Sequence, residues 1–331
     1  MSLPKSYTSS VHGGEMPDDH LADYKTVFPT EVAKFPYDKH KVARVAKNRA
    51  ALGGQLFFDK LCTENLDRVE NIQDTYPPKA TSFLRHFFEK ILQSNIDRLR
   101  QHSFVYYLLR DFDEERPRKY AEKAMMPEHF CRLMDGVWFL DQLLFEQALP
   151  CITYPAVHFP YPDMVLASLL SVPSSNIPSP SPYLALTFVE CTQPCLLSDA
   201  SIMLYFRALL SVSPAQAFLY TRVAQAHLRS QLLRMLVEHC LTVDREKNAI
   251  VFLELPMTRE EERVVEEALK GASGVMGGLA RDTLLQKWAS KGRMAEILNV
   301  VGGQGVENEA KAAGVNWADL RRGVEMGLGG R

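Results

Sequence analysis

Cys191 and Cys195 bracket Thr-Gln-Pro in the run CTQPC, and with Cys240 and His239 they have the residue types of a tetrahedral zinc site. The intervening Thr-Gln-Pro reads better as a link between two helices, and no second close pair completes four ligands. Asp111, Asp113, Glu114 and Glu115 form an acidic run of the kind that serves acid–base work or a divalent ion. It lacks the alternation of a calcium loop and follows an apolar segment, so it is expected as a solvated loop. His102 and His129 stand near helix starts without a Ser or Cys partner at a readable spacing, which points to surface or capping roles. Gly302, Gly303 and Gly305 follow Val300-Val301, but fewer than thirty residues remain and none forms the second strand of a dinucleotide fold. No catalytic, cofactor-binding or metal-ligating residue is assigned.

Two further groups bear on partners rather than on chemistry. Lys41, Arg44 and Lys47 lie largely on the polar side of one expected helix and read as a solvated face or as a contact for an anionic partner. Ser179-Pro180 and Ser181-Pro182 stand in a proline-rich connector as candidates for proline-directed phosphorylation.

The elements that would position these residues are helical. After Pro77-Pro78, a stripe of Phe83, Leu84, Phe87, Phe88, Ile91, Leu92, Ile96 and Leu99 opposes Arg85, Glu89, Lys90, Gln93, Asp97 and Arg98. A more apolar helix is expected over 103–111, and a third starts near Pro127 and carries Trp138 as a core residue through to Leu144. Helices are also expected over 39–52, 164–170, 183–190 and 199–210. Ser213-Pro214-Ala215-Gln216 opens another that is expected to reach His239, and Thr258 with Glu261 forms a capping box. AIVFLEL, residues 249–255, is strand-like, and one isolated strand cannot make a sheet. The expected fold is all-α, an irregular α-solenoid of stacked antiparallel helical hairpins. Its parts are an extended or flexible arm over 1–50, a helical domain over 51–255 and a partly flexible helical extension over 256–331.

Composition fits that picture. Hydrophobic residues make up 46% and charged residues 24%, enough to build a core. A formal net charge of −2 argues against a chain whose main task is wrapping DNA. Six cysteines among apolar neighbours read as reduced thiols. The start MSLPKSYTSS has no apolar signal region, and no run approaches a membrane span.

Four segments then resemble a known family: HSFVYYLLRDF (102–112), YAEKAMMPEHF (120–130), GVWFLDQLLFEQAL (136–149) and LALTFVECTQPCLLSD (184–199). Trp138, Leu140, Asp141, Phe145, Glu146, Ala148 and Leu149 look like one helix of the ELYS family of nuclear-pore assembly factors. Thr192 to Asp199, followed by SPAQAF, resembles its next helical pair. The likeness covers roughly residues 55–255 and implies a structural nucleoporin of the Y-shaped outer-ring complex, at the nuclear envelope and serving protein and mRNA transport. Its implied partner is the propeller-plus-solenoid subunit of the short arm. Large animal members carry an N-terminal β-propeller and C-terminal AT-hooks. Here the first 50 residues are too few for a propeller and no Arg-Gly-Arg-Pro hook appears, so the chain resembles the short fungal form and direct nucleic-acid binding is not carried over. A general helical adaptor of another cytoplasmic complex is the alternative, and an enzyme has the least support.

Overall fold

The computed structural model describes residues 23–29, 31, 35–66, 71–174, 180–273, 275–301, 322–323 and 326–327. Among the described residues there are eighteen helices and no strand, so the fold is all-α. Contacts divide the chain into two compact units, Met1–Tyr161 with Ser171–Pro180, and Pro162–Leu170 with Ser181–Arg331.

The first unit holds α1 (Tyr24–Val27), α2 (Lys39–Ala51), α3 (Phe57–Asn65), α4 (Ile72–Thr75), α5 (Thr81–Gln93), α6 (Arg98–Arg110), α7 (Glu115–Lys123), α8 (Glu128–Asp141) and α9 (Phe145–Ile152). Helix α8 packs against α2, α3, α6 and α9. The core beside it is aromatic: Phe58 stacks on Tyr107 with ring centroids 3.8 Å apart, and Tyr76, Phe87 and Phe104 close around Phe58. Burying each such ring removes a large apolar surface from water and so repays the ordering of short helices that are marginal alone.

Helix boundaries follow local chemistry. Asp38 caps α2 by accepting the Lys41 N–H at 2.7 Å. The stripe expected to run from Phe83 to Leu99 is two helices. The chain leaves α5 at Ser94, and Asp97 starts α6 by accepting the Arg100 N–H at 3.0 Å. Phe83, assigned to that stripe, is 54% exposed. The third helix does not reach Leu144 either. Leu143 takes a left-handed backbone (φ +57°), and its N–H and that of Leu144 bond back to Leu140 and Phe139. This is the hydrogen-bond pattern that usually recruits glycine, here made by leucine.

Helix α9 folds back tightly against α8 because Gly136 has no side chain. A Cβ there would stand 2.6 Å from Ile152 Cγ2 and 3.3 Å from Cys151 Cβ. Ile152 is fully buried and has no room to yield. Gly136→Ala is therefore expected to cost about 1–3 kcal/mol by overpacking, read as a lowered urea midpoint; an unshifted midpoint contradicts this packing.

The second unit holds α10 (Pro162–Ser171), α11 (Pro182–Thr192), α12 (Asp199–Val212), α13 (Pro214–Val223), α14 (Arg229–Thr242), α15 (Arg245–Glu254), α16 (Arg259–Gly271), α17 (Val275–Ser290) and α18 (Met294–Val301). Helix α14 packs against α12, α13, α15, α16 and α17 and buries Leu232, Leu233, Leu236, Val237, Cys240 and Leu241. The Ser213 hydroxyl caps α13 by accepting the Gln216 N–H. That helix stops at Val223 rather than His239, and residues 224–228 separate it from α14. The strand-like AIVFLEL lies mostly within α15, with Phe252 buried and Ile250 60% exposed. A short apolar run has no period that separates a helix from a strand, and here packing decides.

Candidate interaction surfaces

The residues with chemical potential fall apart in three dimensions. Cys191 and Cys195 are exposed at the end of α11, whereas Cys240 is buried in α14. Among the described residues no group of three or more His, Cys, Asp or Glu is placed to hold a metal ion. His102 is buried rather than on the surface, with Nδ1 2.6 Å from the Tyr120 hydroxyl, and burial lowers its pKa. His129 is half-buried against the Phe130 ring. Ser181 stands immediately before α11, half-buried, with its hydroxyl making no capping bond. Ser179, Gly302, Gly303 and Gly305 lie outside the described residues.

The acidic run is not one solvated loop. Asp113 caps α7 through the N–H groups of Glu115 and Arg116, and Glu115 pairs on the surface with Lys119. Asp111 turns inward. Its carboxylate accepts from the Tyr37 hydroxyl at 2.7 Å, the Tyr76 hydroxyl at 2.8 Å and the Trp138 indole N–H at 3.2 Å, and pairs with Lys41 at 2.9 Å. Trp138, expected in the core, is half-buried, with the Arg110 guanidinium 4.9 Å from its ring centroid. Its job is split between packing and hydrogen bonding.

Two more buried carboxylates complete this polar layer. Asp141 accepts the Phe57 N–H at 2.7 Å, the Phe58 N–H at 3.1 Å and the Tyr107 hydroxyl at 2.8 Å. Burial pushes its pKa up to about 8, against the pull of these donors. Asp59 forms a two-pronged pair with Arg49 at 2.7 and 2.9 Å, and the same guanidinium reaches the Tyr76 carbonyl at 2.8 Å. Burial also raises the pKa of Tyr37, Tyr76 and Tyr107 well above the ordinary phenol. Every one of these groups is already engaged by donors or acceptors of the fold. The layer joins α2 to α3, α6 and α8, and its arrangement fixes helices.

What remains free is surface. In the first unit a groove of about 390 Å³ runs between α3, α6 and α8, lined by Leu61, Phe104, Phe130, Leu133 and Tyr161 with Arg100 at its rim. In the second unit Leu219 and Val223, one turn apart on α13, are 55% and 81% exposed. Nearby, Arg222 pairs with Glu261 through both carboxylate oxygens and borders a more polar groove of about 540 Å³. On α2, Lys41 is drawn inward to Asp111 while Lys39, Arg44 and Lys47 stay exposed. No helix among the described residues is long and apolar enough to cross a membrane.

Glu261 also closes the capping box of α16, accepting the Thr258 N–H at 2.7 Å while the Thr258 hydroxyl accepts the Glu261 N–H. Thr258→Ala is expected to cost about 1 kcal/mol of stability in urea denaturation. The hydrogen bonds from Arg222 hold the Glu261 carboxyl down to about 2. Its contribution is therefore present above the ordinary carboxylate range and lost as pH falls toward 2. Glu261→Gln should flatten that acid limb of the stability curve.

The family model described as ELYS, nuclear pore complex assembly, matches residues 55–272. A fission yeast protein, the uncharacterized protein ely5 of Schizosaccharomyces pombe, is 34% identical over 158 residues, an alignment covering 47% of this chain and 52% of that protein. The chain thus spans about half the length of this curated relative. The matched 55–272 region contains α8, whose Asp141 and Trp138 organise the polar layer, and α16, whose Glu261 holds Arg222. With most of its length inside that match, the chain belongs to the ELYS nuclear pore complex assembly family.

Proposed function

We propose that this protein is a scaffold of the nuclear pore's outer ring, docking by helix faces onto the propeller-plus-solenoid subunit on the short arm of the Y-shaped complex. The observation that carries this reading is the family match over residues 55–272, which spans helices of both units. The surfaces support it as well. Leu219 and Val223 on α13 and the apolar groove between α3, α6 and α8 present side chains that a folded partner can bury. Docking of this kind needs no bond-making, and the buried carboxylates that could have served chemistry are committed to holding helices.

The test is affinity purification of the tagged full chain with mass spectrometry, together with imaging of a fluorescent fusion. Outer-ring nucleoporins in the purified set and a rim of signal at the nuclear envelope are the expected results. Recovery of a trafficking or proteolysis complex, with signal on vesicles or diffuse in the cytosol, overturns the proposal and favours a general helical adaptor.

A further inference from the structure

Helix α2 has two unlike faces. Lys41, Val45, Asn48 and Arg49 recur at helical spacing and point into the first unit. There Lys41 meets Asp111, the Asn48 side-chain amide donates to the Asp141 carbonyl at 2.9 Å, and Arg49 grips Asp59. The opposite face consists of Lys39, His40, Ala43, Arg44, Ala46, Lys47, Ala50 and Ala51, all exposed. It contains no acid and no side chain larger than alanine that is not basic.

Elsewhere in the first unit Arg85, Arg100, Arg116, Lys119 and Arg132 each pair with a carboxylate three or four residues away on their own helix or its cap. Lys25, Lys79, Arg98, Arg118 and Lys123 are exposed without such a pair among the described residues, and they do not share one helix face. Lys39, Arg44 and Lys47 make no ion pair or side-chain hydrogen bond among the described residues. In a chain of net charge −2 this is a local excess of positive charge, held rigidly by the polar anchors beneath it.

We infer that the outer face of α2 is a docking surface for an acidic helix of a partner protein. At 1.5 Å per residue the three cations span about 12 Å, the reach of carboxylates spaced four residues apart over two turns of a second helix. Ala43, Ala46 and Ala50 leave room for that helix to approach closely. Three cations release too few counterions to hold a nucleic acid at physiological salt. No Leu, Phe or Trp projects from this face to enter a lipid bilayer. An acidic helix is the partner that matches both the charge and the shape. This inference deepens the proposed docking role and rests on it for the setting, but its binding chemistry is tested separately.

The probe is a fluorescein-labelled, alanine-based helical peptide carrying three glutamates at four-residue spacing. Its binding to the full chain is followed by anisotropy at low and physiological salt. The wild type is expected to bind, with affinity falling as salt rises. The triple variant Lys39→Glu, Arg44→Glu, Lys47→Glu should lose about tenfold or more, and the milder triple Gln variant should fall between. Arg85→Glu on α5 should bind like wild type. Thermal midpoints of the triple variants should match wild type, because the three side chains touch nothing that folds the unit. A wild type that fails to bind the peptide, a triple Glu variant that binds it equally, or tighter binding to duplex DNA or to phosphatidylserine vesicles each overturns the inference. Purification from cells separates the two claims. If the wild type binds the peptide but recovers no nucleoporin, the pore assignment falls and the α2 surface stands. If the triple variant recovers nucleoporins as well as wild type does, the α2 surface falls and the pore assignment stands.

Discussion

Asp141→Ala lowers the unfolding free energy by about 3–5 kcal/mol, one of the two largest losses expected in the molecule. The carboxylate is fully buried and holds three donors at once: the N–H groups of Phe57 and Phe58 and the hydroxyl of Tyr107. The first two belong to the opening turn of α3, whose N-cap is Leu56, a residue with no side-chain oxygen to offer them. A neighbouring helix thus supplies the cap that the local sequence lacks. Alanine leaves all three donors without the acceptor that the fold gives them. Asparagine is the informative comparison. It keeps the volume and one acceptor, and the Tyr107 hydroxyl can turn to accept from its amide. It also removes a titration. Burial raises the Asp141 carboxyl to about 8, so between the ordinary carboxylate range and that value the native state binds a proton that the unfolded chain has released. The associated stability is fully present below about pH 4 and is lost as pH rises through about 8. Urea denaturation at about pH 5 and about pH 9 should show wild-type stability falling relative to Asp141→Asn across this interval. Parallel curves for the two proteins contradict the assignment.

The buried polar layer explains what the sequence could and could not disclose. Helices opened by local signals were readable: Ser213 with Gln216 on α13 and Thr258 with Glu261 on α16 each act within four residues, so spacing alone finds them. Boundaries set by an unusual backbone were not. Leu143 ends α8 in a conformation for which glycine is the usual marker, and the apolar spacing continues across it as though the helix did. The ELYS resemblance was legible because it is spread over aromatic and apolar positions of α6, α8, α9 and α11, which packing makes hard to exchange. The polar layer was invisible for the opposite reason. Asp111 sits in an acidic run that looks solvated, and nothing local tells that Tyr37, 74 residues earlier, and Trp138, 27 residues later, converge on it. Long-range polar contacts have no period. A reader of the sequence finds charged residues and assigns them to water, and only the fold shows which have left it. The two faces of α2 make the same point at one helix, since Lys41, Arg44 and Lys47 look alike in sequence and only Lys41 is anchored.

Arg49→Ala is the companion to the loss at Asp141, because it strands an acid that water cannot reach. Asp59 is fully buried, and its two oxygens are met by the Arg49 guanidinium at 2.7 and 2.9 Å. The second proton of the same Nη2 goes to the Tyr76 carbonyl, so one side chain satisfies groups on α3 and on the segment after α4. Removing it leaves an unpaired buried carboxylate and an unpaired carbonyl, at an expected cost of about 3–5 kcal/mol. The pair itself contributes far less than that figure, since both charges were desolvated to form it. The double variant Arg49→Met, Asp59→Leu separates the two quantities. It removes both charges and restores apolar volume, leaving as its debits the Tyr76 carbonyl and the Leu56 N–H, which Asp59 accepts at 2.9 Å. Its stability should therefore return to within about 1–2 kcal/mol of wild type. A double variant as unstable as Arg49→Ala would mean that the ion pair is itself a principal source of stability. The single variant carries a second consequence. Arg49 is one of three polar anchors of α2, so hydrogen exchange in residues 39–51 should accelerate more than in α5, which shares none of these contacts. A basic surface that depends on this anchorage for its rigidity should then lose affinity for an acidic helix even though Lys39, Arg44 and Lys47 are all still present.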